Sequence, residues 1–252
     1  MVGGHAVTAV LSFDNVTVSY DRHAAVHHLS GVVRSGSLTA VVGPNGAGKT
    51  TLLKSILGLV KPSEGTIATS LARRDIAYLP QQADIDRRFP LSVVDTVQLG
   101  LWPAIGAFCG VGQSLQDRAR SALAAVGLAG FERRRLATLS SGQFQRVLFA
   151  RVLMQDARLI LLDEPFTAID ARTTTDLLAI IGRWHDEQRT IVSVLHDHEQ
   201  VRRHFPETLL LAREPVAWGP TDAALDATNL QRARTMAEAW DENAPVCERS
   251  LA

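Results

Sequence analysis

Eight residues, GPNGAGKT from Gly43 to Thr50, have the types and spacing to hold a polyphosphate. Glycine at 43, 46 and 48 lets backbone N–H groups converge on phosphate oxygens, an approach that side chains at Gly46 and Gly48 would obstruct. Lys49 is placed to reach the β- and γ-phosphates as a point charge, and the Thr50 hydroxyl to ligate Mg²⁺. Asn45 and Thr51 belong to the same phosphate-binding set. A second constellation stands in LILLDEP, where Asp163 closes an apolar run and can support the metal through water. Glu164 follows directly, and adjacent strand residues point in opposite directions, so one acid can face the metal while the next reaches an attacking water. A third stretch, LSSGQFQR at 139–146, gathers Ser140, Gly142 and Gln143 at the start of a helix, as if to meet an anion. Taken alone, that stretch is better read as an ordinary serine-capped helix.

These residues need particular elements beneath them. LTAVVG at 38–43 reads as a short strand entering the glycine turn, and KTTLLKSILGL as a helix ending near Gly58, with Pro62 just beyond. LSFDNVTVSY at 11–20 alternates apolar and polar residues, the mark of a half-buried strand. DIAYLP at 75–80 is a further strand. RLILLDEP at 158–165 and RTIVSVLH at 189–196 are continuous apolar runs, as expected of strands buried on both faces, and TLLLA at 208–212 adds another. From about 87 to 157 the character is helical. LQDRARSALAAVGL places Ala119, Leu123 and Val126 on one face, with Gly127 as a stop. Apolar strands separated by helices predict an α/β fold with a mainly parallel sheet, an antiparallel β portion near the N-terminus and an inserted helical subdomain. The expected divisions are 1–86, 87–157, 158–225 and a tail at 226–252, where Leu230, Ala233, Ala237 and Trp240 form a helix stripe.

Composition removes several classes of function. Of 252 residues, 46% are hydrophobic and 21% charged, as in an ordinary globular protein. Lys plus Arg number 26 and Asp plus Glu 26, so no basic excess marks a nucleic-acid partner, and none is expected. Arg133 to Arg135, Arg202 and Arg203 read as solvated faces. Cys109 and Cys247 make neither a disulfide framework nor a metal pair, which suits a reducing compartment. The N-terminal MVGGHAVTAV does not read as a signal peptide, and no run approaches the ~18 apolar residues of a spanning helix. A role at a membrane would need another chain to hold this one there.

With the phosphate loop, the Asp-Glu strand and LSSGQ in place, the sequence resembles the ATP-binding subunits of ABC transporters, from about Phe13 to Leu225. LSSGQ is similar to that family's signature motif, usually written LSGGQ, with Ser141 where glycine is normal. The resemblance implies a P-loop NTPase core and assigns further roles. Tyr20 takes the place of the aromatic that stacks on adenine. Gln81, in YLPQ, takes that of the glutamine that touches metal and water and senses the membrane partner. Glu164 takes that of the catalytic glutamate, and Ala168 to Asp170 that of the loop contacting the opposite subunit. His196 takes that of the histidine on the γ-phosphate, while His198 reads as a solvated residue at the next helix start. A His-x-His pair is poorly spaced for a metal on one helix face.

The implied reaction is Mg²⁺-dependent ATP hydrolysis, with Glu164, His196 and Gln81 catalytic and Thr50, Gln81 and Asp163 around the Mg²⁺ of MgATP. The implied partners are a second copy of the chain, paired head to tail on ATP, and membrane-spanning permease subunits on the cytoplasmic face of the inner membrane. QQADIDRRFPLSVVDTVQLG looks like subunits of zinc and manganese importers, with zinc the first choice, manganese the second, and an extracytoplasmic solute-binding protein delivering the ion. Other cargoes (siderophore, heme, cobalamin or an exported compound) would use the same ATPase. A DNA-repair or chromosome-organising ATPase would need a long coiled coil between the nucleotide motifs, and no sustained heptads separate Lys49 from Asp163. Replacing the unusual serine, Ser141→Gly, should leave ATPase activity within about tenfold, roughly 1.4 kcal/mol of barrier. A larger change in steady-state turnover, in either direction, would assign that serine a specific role.

Overall fold

The computed structural model describes residues 8–20, 23–81, 86–102 and 112–238, though the side chain of Tyr20 lies outside that description. They belong to two compact units: Met1–Arg34, Thr39–Ser70 and His196–Ala252 in the first, Ser35–Leu38 and Leu71–Leu195 in the second.

In the first unit, β1 (Ala9–Tyr20) pairs antiparallel with β2 (His23–Arg34) on one side and with β4 (Glu64–Thr69) on the other. The alternation read from LSFDNVTVSY holds up to Phe13, is interrupted, and is then blurred by the burial of Thr17 between Val16 and Val18. Leu11 and Phe13 are buried, then Val16 and Val18, so the inward face changes from odd to even positions. A register shift between Phe13 and Val16, with Asn15 at φ 49°, supplies the extra residue of a β-bulge. Glycine at 65 lets β4 lie close, since a Cβ there would stand 2.3 Å from the Asn15 and Asp14 carbonyls. β3 (Leu38–Val42) runs parallel to β8 (Glu207–Ala212), which turns back through Arg213 at φ 64° into β9 (Glu214–Pro220). Trp218 of β9 occupies the space a side chain at Gly31 would need, and its ring lies 5.9 Å from that of Phe13. The strands β2, β4 and β9 carry mixed or exposed patterns, which is why periodicity alone did not pick them out.

α1 (Lys49–Ile56) ends as the sequence predicts, with Gly58 at φ 70°. α6 (His198–His204) and α7 (Thr221–Ala224) are short, and α8 (Ala227–Glu238) is the final described helix. The predicted stripe on α8 needs correction. Ala233 is buried and Leu230 half-buried, but Ala237 is exposed and Met236 stands half-buried beside it. Trp240 lies outside the described residues.

The second unit is built on three parallel strands, β5 (Ile76–Leu79), β6 (Leu159–Asp163) and β7 (Thr190–Val194). Every residue of β6 and β7 is buried, as mainly apolar strands covered on both faces require, with Asp163, Thr190 and Ser193 as the buried polar members. The helices are α2 (Val93–Gln98), α3 (Gln113–Ala125), α4 (Ser141–Gln155) and α5 (Ala171–Asp186). On α3, Ala119 and Leu123 are buried, with Val126 after them, and Gly127 closes the helix at φ 74°. α4 and α5 meet where Phe149 stacks on Trp184, ring centroids 5.6 Å apart and planes 11° from parallel. Both side chains are almost wholly buried. Among the described residues, no helix is long and apolar enough to cross a membrane. Trp184→Ala should lower unfolding free energy by about 3–5 kcal/mol, the cost of emptying such a site. Denaturant titration of the full chain measures it, and a loss below about 1 kcal/mol would mean the stack is not part of the core.

Candidate nucleotide site

In the first unit, β3 delivers the chain into the loop and α1 leaves it, with Gly48 at φ 88° as the residue before the helix. A Cβ on Gly43 would stand 1.8 Å from the Leu211 carbonyl oxygen, and one on Gly48 would stand 2.0 Å from that of Ala25. Those contacts are main chain against main chain, so neither neighbour can yield by rotating a side chain. Gly46 differs: nothing lies within 4 Å of its would-be Cβ, and its φ of 76° is the reason for glycine there. Obstruction is therefore found at Gly48, by the chain's own Ala25 carbonyl, and not at Gly46, where the space is open and the left-handed backbone alone favours glycine. Asn45 is exposed beside Gly46, while Thr50 and Thr51 are half-buried on the first turn of α1.

Lys49 is only 6% exposed, and its ammonium donates to the carbonyls of Gly43 at 2.9 Å and Pro44 at 2.8 Å. That draws a cation back over the loop, beside the opening N–H groups of a helix, an arrangement suited to polyanions. Mg²⁺ prefers hard oxygen ligands, and the Thr50 hydroxyl on the first turn of α1 is a donor of that kind. His196 is exposed ahead of α6, whose cap is Asp197, accepting from the backbone N–H of Glu199 at 2.9 Å and Gln200 at 3.1 Å. His198 is half-buried rather than solvated. Burial, then the positive charges of Arg202 and Arg234, hold its pKa below the usual histidine value. Tyr20 ends β1 opposite His23.

In the second unit, Asp163 closes β6 with no solvent exposure, and Tyr78 Oη donates to its Oδ2 at 3.2 Å. Glu164 does not continue the strand. Its φ of 49° is left-handed, so the backbone turn, rather than strand alternation, aims its carboxylate. Gln81 Nε2 donates to Glu164 Oε2 at 2.6 Å, and Thr167 Oγ1 donates to the same oxygen at 3.2 Å. Gln81, Asp163 and Glu164 are thus brought together as expected, with Tyr78 and Thr167 as members the sequence reading missed. Tyr78 stood in the YLPQ already singled out, and Thr167 three residues after Glu164, a spacing that returns to the same place in a tight turn.

LSSGQ forms a capped helix start. Ser140 accepts from the Gln143 N–H at 3.2 Å, and the Gln143 side-chain carbonyl accepts from the Ser140 N–H at 3.1 Å, a reciprocal capping box. Gln143 is therefore engaged in shaping the helix entry. Gly142 lies against the start of α5, where an added Cβ would meet Thr173 Oγ1 at 3.2 Å and Asp170 Oδ2 at 3.4 Å. Asp170 caps α5 through the Thr173 N–H at 2.9 Å. That bond, then the Thr173 hydroxyl, holds its carboxyl below the usual range. A cleft of about 530 Å³ opens here, lined by Ser140, Gly142, Gln143, Arg146 and Asp176 among others.

A strand, a glycine cradle over a buried lysine, and a helix in one unit, with an acid-tipped strand and a capped LSSGQ helix in the other, form one family's set of parts. The family model for ABC transporters matches residues 26–167. The chain belongs to the ABC transporter family. It is 36% identical over 226 residues to the manganese transport system ATP-binding protein MntB of Listeria monocytogenes, covering 88% of this chain and 94% of that one. It is 35% identical over 233 residues to the zinc transport system ATP-binding protein TroB of Treponema pallidum, covering 90% and 88%. Among solved structures, it superposes on a dimeric ATP-binding cassette in a post-hydrolysis state bound to ADP and Pi. There the TM-score is 0.74 and identity 27%, over 84% of this chain and 98% of that one. Membership of this family implies ATPase activity. Gly48→Ala in this cassette should introduce about 1–3 kcal/mol of strain at the loop. Calorimetric titration should then find nucleotide affinity reduced about tenfold or more; affinity within about twofold of wild type would show that the Ala25 contact relaxes freely.

Proposed function

We propose that this chain is the ATP-hydrolysing subunit of an importer for a divalent transition-metal ion. The observation that carries the reading is the pair of metal-transport relatives, which match nearly the whole chain at 35–36% identity. One is named for manganese and the other for zinc, so the reading commits to the class of ion and gives zinc no precedence.

The residue roles are those the family resemblance assigns, and the geometry around the phosphate loop and the two acids supports part of the set. The loop from Gly43 to Thr51 would bind the triphosphate through backbone N–H groups and Lys49, and Tyr20 would carry the adenine. Thr50, Gln81 and Asp163 would hold Mg²⁺, which supplies charge neutralisation on the β- and γ-phosphates. Glu164, held by Gln81 and Thr167, would take up the proton side of water activation, and His196 would contact the γ-phosphate. Ser140 and Gly142 would serve the nucleotide of a second copy. The solved dimeric cassette with ADP and Pi supports that pairing, and a two-fold assembly uses one complementary surface twice.

Permease subunits would dock on the helical stretch 87–157. Phe89 and Trp102, 62% and 55% exposed, supply apolar side chains there. Such docking would place the cassette on the cytoplasmic face of the inner membrane, with a solute-binding protein serving the permease outside. Reconstituted with its neighbouring permease, the wild type should drive ATP-dependent uptake of radiolabelled manganese or zinc. Glu164→Gln should bind ATP but lower turnover and uptake by about 100-fold or more, the scale of a general-base contribution. Uptake of neither metal would reject the cargo, and near-normal turnover in Glu164→Gln would reject the base.

A further inference from the structure

We propose that Tyr78 is a positioning residue for Asp163, through which β5 passes the setting of helix α4 to the metal-binding carboxylate. The inference rests on the proposed reading of Asp163 as a support for Mg²⁺.

The register of the parallel pair makes the contact possible. Tyr78 stands opposite Leu161, and Asp163 lies two positions further along β6, on the same face of the sheet. The long phenol spans that offset and donates to Oδ2 at 3.2 Å. A phenylalanine would fill the same space without the bond. Three residues later, Gln81 donates to Glu164 at 2.6 Å. One short strand and the residues just after it therefore touch both acids, Asp163 from Tyr78 within the strand and Glu164 from Gln81 beyond its end.

What fixes that strand end comes from α4. Arg151 donates from Nη2 to the Tyr78 carbonyl at 3.0 Å. Burial disfavours the charged guanidinium, so this bond is made by a cation with little water around it, where a polar contact counts most. The same helix begins at Ser141, inside the Ser140–Gln143 capping box, a rise of roughly 15 Å from Arg151 at 1.5 Å per residue. A helix moves as a rod. A shift of the signature end is thus felt at the Tyr78 carbonyl, and from there at the phenol that holds Asp163. The bland alternative is a tyrosine whose hydroxyl has merely found an acceptor on burial. It predicts a change in stability alone.

The test uses the full chain and a fluorescent ATP analogue, with affinity measured across a MgCl₂ titration and again in EDTA. Tyr78→Phe should raise the Mg²⁺ midpoint about tenfold, the size of one hydrogen bond to an ionised carboxylate, and leave affinity in EDTA within about twofold. Arg151→Met should raise the midpoint in the wild-type background and add nothing to Tyr78→Phe. A lowered melting temperature with an unmoved midpoint in Tyr78→Phe overturns the inference, as do additive shifts in the double variant. A wild type whose nucleotide affinity ignores Mg²⁺ overturns the underlying reading of the site. A Mg²⁺-dependent wild type matched by Tyr78→Phe overturns this inference alone.

Discussion

Two contacts between main chains, at Gly43 beside the Leu211 carbonyl and at Gly48 beside the Ala25 carbonyl, decide the shape of the phosphate loop. Backbone cannot rotate out of the way as a side chain can. The loop is therefore wedged between the end of β8 and an inner position of β2, and its path follows from where those strands lie. The Arg213 turn reinforces this, since its N–H donates to the Ala47 carbonyl and its own carbonyl accepts from the His27 N–H. A cradle held this way has little freedom left to lose when an anion binds, which is how preorganisation strengthens electrostatic contacts.

The acids in the other unit follow a different rule. Two adjacent carboxylates repel, and burying either one is costly without partners. Three of their partners, Tyr78, Gln81 and Thr167, are neutral donors. Neutral donors orient a carboxylate without cancelling its charge, which the proposed reaction would need for a divalent cation and an attacking water. Glu164 reaches its donors only because the chain turns left-handed at that residue, a conformation with a price of its own. Local strain at a reacting group, balanced by hydrogen bonds around it, is the expected pattern where position matters more than stability.

The LSSGQ helix joins these themes. Its first turn is shaped by a capping box, its glycine gives room to the start of α5, and Arg146 ties it to Asp176 at 2.6 Å and to the Val126 carbonyl at 3.0 Å. Ser140 itself remains exposed. A helix start so firmly braced on its own unit, with its cap facing outward, suits the proposed role of closing over a nucleotide held by another copy.

Much of this was legible in the residues because it is local. The glycine spacing, the serine cap in LSSGQ, the mainly apolar runs of β6 and β7, and the stop at Gly127 each follow from neighbours a few positions apart. Tertiary structure decided what depends on distant segments. It separated the steric need for glycine at 43 and 48 from the conformational need at 46, since only the placement of Leu211 and Ala25 makes that distinction. It turned Glu164 out of the strand, replaced Ala237 by Met236 on the inner side of α8, and added Tyr78 and Thr167 to the acids. It also paired β2, β4 and β9, whose half-exposed patterns carry weak periodicity. The physical reason is common to all of these: a motif specifies which groups the chain can present, but the direction each one faces is fixed by packing against residues far away in sequence.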